Sequence, residues 1–90
     1  MTPEQSVIEM KNLGSKMAAW LGALHIHTRG DLERVGAVLA YKMLRHHRPG
    51  VTVLALYALH GALQDRHWNS LSAGEKAQLK AQASGTLHVG

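Results

Sequence analysis

The chain has 90 residues, of which 46% are apolar and 4% aromatic; it contains neither Cys nor Phe and carries a formal charge of +4. This predicts a single domain over residues 1–90 with a core of Leu, Val, Ala and Met, and it excludes disulfides and thiolate metal ligands. The longest largely apolar stretch, residues 51–63, is too short to span a membrane, and no secretory signal is visible, so we expect a cytoplasmic protein without a membrane partner.

Helix starts are signalled by a hydroxyl side chain that is followed three residues later by an amide or a carboxylate. Three pairs fit this spacing, namely Thr2 with Gln5, Thr28 with Asp31, and Ser72 with Glu75. The hydroxyl accepts a hydrogen bond from the first turn of the helix, and the later side chain accepts one from the cap residue's own N–H. Thr52, after the Pro49-Gly50 turn, indicates a fourth start.

In chain order, these signals and the apolar periodicity predict six helices. They cover residues 3–11, 15–24, 29–35, 37–47, 52–65 and 73–82. Helix 52–65 is apolar on nearly all sides, which predicts a central buried helix with Leu56 and Leu59 at the core. The predicted fold is all-α, a compact bundle of five to six short helices with a core over about 10–83 and a frayed tail over 84–90.

The most informative stretch is the turn Asn12-Leu13-Gly14-Ser15-Lys16, which opens a helix and is followed by a short hairpin at residues 25–27. This pattern resembles the helix-hairpin-helix motif, in which backbone N–H groups of a glycine turn bind a DNA phosphate and a nearby Lys adds charge. Asn12 stands where that motif has its first Gly, and Asn tolerates left-handed backbone better than most residues. The candidate nucleic-acid contacts are Asn12, Leu13, Gly14, Ser15, Lys16 and Arg29.

A longer resemblance covers about 60 residues. The residues that carry it, in order, are Asn12-Leu13-Gly14-Ser15-Lys16, Ile26-His27-Thr28 with Asp31-Leu32, Val35-Gly36-Ala37-Val38, Ala40-Tyr41, Leu56-Tyr57-Ala58-Leu59, Gly61-Ala62-Leu63 and His67-Trp68-Asn69. This pattern closely resembles the C-terminal domain of the TfoX/Sxy family, regulators of natural transformation in bacteria. Parts of it also look like the C-terminal domain of the bacterial RNA polymerase alpha subunit, which uses them on DNA.

The resemblance to the TfoX/Sxy family implies an all-helical fold of SAM-like or helix-hairpin-helix architecture. It also implies transcriptional control of competence genes, with duplex DNA or a transcription regulator such as a cyclic-AMP-responsive activator as the partner. Full-length regulators of that family carry a separate N-terminal domain. This chain is therefore expected to act as a stand-alone domain of the C-terminal kind.

The basic residues are concentrated in one half of the chain. Residues 11–48 contain seven Lys or Arg and two acids, whereas the remainder contains three basic and four acidic residues. A one-sided basic half favours an anionic partner, above all nucleic acid. A merely solvated surface is the alternative interpretation.

Neither catalysis nor metal binding is predicted. The chain has seven His, but no Cys joins them and Asp31 and Glu33 suit capping and solvation better than ligation. No nucleophile with a base and no pair of carboxylates in an apolar setting is visible, so we expect no enzyme and no cofactor. Trp20 and Trp68 are expected in the core, although tryptophans also stack on bases.

Leu39 and Met43 fall outside the apolar arc of helix 37–47. Either helix 3–11 or helix 73–82 covers them, or they form a patch for a protein partner or for a second copy of the chain. Two functions therefore remain open. The first is a domain that binds nucleic acid or a transcription component through its basic hairpin half. The second is a protein-interaction or self-association module, homodimeric in one form, whose hairpin is purely structural.

Overall fold

A computed structural model of the protein describes residues 2–84. Over these residues the chain forms five α-helices and two single-turn 3-10 helices. The α-helices are α1 (Ser15–Ala23), α2 (Arg29–Val35), α3 (Ala37–His47), α4 (Val53–Leu63) and α5 (Ala73–Ser84), and the 3-10 turns are Val7–Glu9 and Trp68–Ser70. The predicted all-α bundle is confirmed.

Two of the predicted helix caps form as reciprocal pairs of hydrogen bonds. At α2 the Asp31 N–H donates to Thr28 Oγ1 at 3.1 Å, and the Thr28 N–H donates to Asp31 Oδ2 at 3.2 Å. At α5 the Glu75 N–H donates to Ser72 Oγ at 3.0 Å, and the Ser72 N–H donates to Glu75 Oε1 at 2.8 Å. Thr52 precedes α4 as predicted, but its side chain makes no capping hydrogen bond.

The predicted helix over residues 3–11 is wrong. Apart from the 3-10 turn, this segment lies along the hairpin and the start of α2. The N–H groups of Arg29 and Gly30 donate to the carbonyls of Gln5 and Pro3 at 2.8 and 2.9 Å. The first N–H groups of a helix have no partner within it, and a helical 3–11 segment would have used these carbonyls itself.

Helix α4 is the central element of the core, as predicted. Leu56 and Leu59 are fully buried, and five of the other nine residues of α4, together with the hairpin's Ile26, are buried with them. Trp20 and Trp68 pack against this core but stay partly exposed. Helix α5 runs two residues beyond its predicted end, and residues 85–90 of the predicted tail lie outside the described residues. Within residues 2–84, no helix has the length and apolar character needed to cross a membrane.

Candidate nucleic-acid interface at the start of helix α1

Asn12 adopts the left-handed backbone conformation that its residue type permits, with φ 73°. Its side chain, however, is committed to the fold. Nδ2 donates to the carbonyls of Arg66 at 2.8 Å and Ala58 at 3.3 Å, and Oδ1 accepts from the Trp68 N–H at 3.0 Å. Asn12 therefore ties the turn before α1 to α4 and the loop after it, and both hydrogens of its side-chain amide are used within the fold.

The remaining residues of the turn divide into one buried and three exposed positions. Leu13 is buried in the core, whereas Gly14, Ser15 and Lys16 are exposed. A Cβ built on Gly14 would meet nothing within 4 Å, and no side chain caps α1 at this position. The start of α1 is thus open to an approaching ligand and lacks a side-chain acceptor for its first N–H groups.

Two cations from distant parts of the chain lie over the ring of Trp20, which stands in the second turn of α1. Lys16 Nζ lies 5.3 Å from the centroid of the Trp20 ring, and Arg48 Cζ lies 5.2 Å from the same centroid. Both distances are within the range of cation–π attraction. Trp20 therefore gathers a cation from α1 and one from the end of α3 on the same surface. Nothing local in the sequence relates Arg48 to α1.

Arg29 is not an exposed contact for nucleic acid, in contrast to the prediction. The residue is only 4% exposed. Nη2 donates to Asp65 Oδ1 at 2.7 Å and to the Ala62 carbonyl at 3.3 Å, and Nε donates to Gln5 Oε1 at 3.1 Å. The guanidinium supplies donors to the carbonyl end of α4, which has no further helical N–H to serve it. Arg29 thus joins α2, α4 and the N-terminal segment.

The start of α2 differs from the start of α1 because its polar groups are already paired. Asp31 accepts hydrogen bonds from the N–H groups of His27 and Thr28 and pairs with Arg34. The hydrogen bond from the His27 backbone is the main reason that the pKa of Asp31 lies below its usual value. Of the starts of α1 and α2, only the start of α1 is left without a side-chain cap.

Leu39 and Met43 lie outside the core, as the helical wheel predicts. Leu39 is 43% exposed, so neither the N-terminal segment nor α5 covers it, and Met43 is half-buried. With His46 and His47 they line a surface depression of about 270 Å³.

Histidine rings take part in two aromatic contacts within residues 2–84. The rings of His46 and His47 meet edge to face at the end of α3, and the His67 ring stacks on Trp68. Within the described part of the chain, no three His, Asp or Glu side chains converge on a point that could hold a metal ion.

Known proteins are similar to this chain in sequence and in fold. The family model of the TfoX C-terminal domain matches residues 3–83. Two crystal structures of proteins from Listeria monocytogenes, described as uncharacterized or of unknown function, are similar to the chain. One has a TM-score of 0.80 and 28% identity over 92% of this chain and 99% of its own, and the other has 0.78 and 31% over 83% and 93%. Among curated proteins none matches. With a family model that matches nearly its whole length, the chain belongs to the TfoX C-terminal domain family.

Proposed function

We propose that this domain binds the sugar–phosphate backbone of duplex DNA at the start of α1, as a cytoplasmic component of transcriptional control in competence. The observation that carries the proposal is the open helix start at Gly14, with Lys16 in the first turn of α1 and Arg48 over Trp20 one turn further along. In this proposal the domain acts by binding and catalyses no reaction.

The chemistry of the helix start suits a phosphate. The N-terminus of an α-helix carries a partial positive charge and unpaired N–H groups, and both favour an anion. Gly14 has no side chain to keep a phosphate away from these N–H groups, and Lys16 and Arg48 add two full charges nearby. Contacts of this kind fix the position of a protein on DNA without reading its sequence.

A titration of labelled duplex DNA at several salt concentrations tests the proposal. Each phosphate neutralised by a cation contributes about −0.9 to the slope of log K against log salt. We expect Lys16→Ala to reduce the magnitude of that slope by about one unit. Lys80→Ala removes the same charge from exposed α5 and serves as the matched control. If the folded protein binds no duplex at low salt, the proposal is wrong.

The role of the glycine is tested by Gly14→Ala. The added methyl group meets no protein atom within 4 Å, and the preference for Gly over Ala at an N-cap costs about 1 kcal/mol at most, which is too little to unfold the domain. We therefore expect unchanged folding but several-fold weaker duplex binding, because the methyl group stands where a phosphate would approach. Gly74→Ala, in the first turn of α5, is the control and should leave binding unchanged. Equal binding by both variants would argue against a phosphate at α1.

A second candidate function is self-association or protein binding through Leu39 and Met43. It is favoured by the exposure of Leu39 on a surface depression outside the core. In that case the hairpin only supports the fold.

A further inference from the structure

A second surface feature, distinct from the helix start, is a groove of about 360 Å³ between α1, the start of α4 and the 3-10 turn at Trp68–Ser70. Its lining is mostly apolar and includes Met17, Trp20, Leu54 and Trp68. Leu54 is 51% exposed, the most exposed large apolar side chain of the described residues. The volume of the groove falls within the range typical of ligand-binding clefts.

The groove is bordered by positive charge at both tryptophans. Lys16 and Arg48 lie over the Trp20 ring, and Lys76 Nζ lies 5.4 Å from the centroid of the Trp68 ring. Within residues 2–84, no acidic side chain lines the groove. An occupant that complements this surface therefore carries carboxylates around an apolar centre.

The polar groups of the groove are poorly suited to nucleobases. Asn12 and Thr52 are its polar side chains, and both donor hydrogens of the Asn12 amide are already used within the fold. A nucleobase in the groove would find few hydrogen-bond partners for its polar edge. Stacking of the base on Trp20 would compete with the two cations that already lie over that ring. An apolar side chain loses nothing in such a lining, because burying it requires no hydrogen bond.

We propose that this groove binds an acidic peptide segment of a protein partner. The segment inserts a large apolar side chain against Leu54 and the two tryptophans, and its carboxylates pair with Lys16, Arg48 and Lys76. This is the arrangement of an amphipathic helix laid into an apolar groove. It goes beyond DNA binding, since it gives the domain a protein partner on a separate surface that shares only the cations Lys16 and Arg48 with the phosphate site.

The probe is a synthetic helical peptide with Leu at every third or fourth position and Glu between them. Trp20 and Trp68 are the two tryptophans of the chain, so their fluorescence reports directly on the groove. We expect saturable binding of this peptide. A peptide with Ser in place of Leu, and one with Lys in place of Glu, should each bind at least about tenfold more weakly. Equal binding of either control peptide would overturn the proposal.

Variants of the protein locate the binding. Leu54→Glu should weaken peptide binding at least about tenfold and keep the fold, since an acid suits the first turn of α4. Leu39→Glu, the same change at an exposed site elsewhere, should leave binding unchanged. Lys76→Ala should weaken binding and reduce its salt dependence. Circular dichroism checks folding of each variant, and peptide binding that is insensitive to both Leu54→Glu and Lys76→Ala would overturn the proposal.

Other occupants would give different results. Single-stranded oligo(dT) that changes tryptophan fluorescence and displaces the peptide in a Leu54-dependent manner would replace the peptide by nucleic acid. A dimer that is lost in Leu54→Glu would replace it by a second copy of the chain. Leu54 and Lys76 take no part in the proposed phosphate contacts, so the duplex titration can fail while peptide binding holds, and the reverse.

Discussion

Asn12 and Gly61 form one structural unit although they lie 49 positions apart in the chain. The Asn12 amide occupies the space next to Gly61, where a Cβ would come within 2.7 Å of Asn12 Nδ2 and 2.6 Å of the Arg66 carbonyl oxygen. Glycine at position 61 thus lets the turn before α1 approach the end of α4. This attachment holds Asn12, two residues before Gly14, and so helps to position the open start of α1.

The contribution of this attachment is measured by Asn12→Gly. Glycine keeps the left-handed backbone but removes three hydrogen bonds and leaves two carbonyls and one N–H without their partner. We expect the free energy of unfolding to fall by about 2–4 kcal/mol, measured by urea denaturation. Asn69→Ala, on the exposed 3-10 turn, should cost less than about 1 kcal/mol. A similar small loss for Asn12→Gly would mean that the amide does little for the fold.

The sequence predicts the backbone conformation of Asn12 but not the hydrogen bonds of its side chain. Left-handed geometry follows from the residue type, because Asn accepts it more readily than most. Its hydrogen-bond partners lie 46 to 56 residues away, and no local pattern identifies them. Arg29 fails for the same reason, since its partner Asp65 is 36 residues distant. Buried polar partners are decided by tertiary packing, so the sequence does not reveal that the side chains of Asn12 and Arg29 are held within the fold.

Helix α5 buries the smallest share of its residues among the five α-helices. Among its described residues Leu79 alone is buried. An ion pair at its start provides a further attachment, in which Arg66 Nη1 and Nη2 donate to the two carboxylate oxygens of Glu75 at 2.7 and 3.0 Å. These hydrogen bonds are the main reason that the pKa of Glu75 is lowered from 4.5 to about 2.

This lowered pKa predicts acid sensitivity of the folded state. The Glu75 carboxylate stabilises the fold above pH 4.5, and that stabilisation is lost as the pH falls towards about 2. We expect the melting temperature to fall over this interval, and Glu75→Gln to start lower near neutral pH and to fall less. Glu9→Gln, a change at an exposed acid, controls for the loss of one charge. Parallel melting curves for the wild type and Glu75→Gln across the interval would contradict the role assigned to the pair.

The outcome for the predicted helices follows the range of the signals behind them. The reciprocal caps at Thr28 and Ser72 are correct because both partners lie within one helical turn. The segment 3–11 carries the same local signal at Thr2, yet its carbonyls serve the N–H groups of α2 instead. A local cap predicts a helix only where no distant donor competes for the same backbone acceptors.

For the whole molecule, the charge that faces a partner differs from the charge counted along the chain. Of the basic residues between positions 11 and 48, Arg29 is paired with Asp65 from the other half and Arg34 with Asp31. Lys16 and Arg48 remain on the surface around Trp20. Arg29 and Arg34 therefore add less to the charge that faces a partner than the sequence indicates, whereas Lys16 and Arg48 place two cations at Trp20.

The patch formed by Leu39 and Met43 on α3 allows the two candidate functions to be separated. The double variant Leu39→Glu, Met43→Glu should keep helicity and change the melting temperature little, because Leu39 is 43% exposed and surface changes rarely exceed about 0.5 kcal/mol. If this patch joins two copies, the mass of the wild type in sedimentation rises with concentration and that of the variant does not. Leu54→Glu carries the same kind of change on the groove and should behave as the wild type. Identical masses for all three proteins would remove self-association through α3, while duplex binding that survives the double variant would leave the start of α1 as the functional surface.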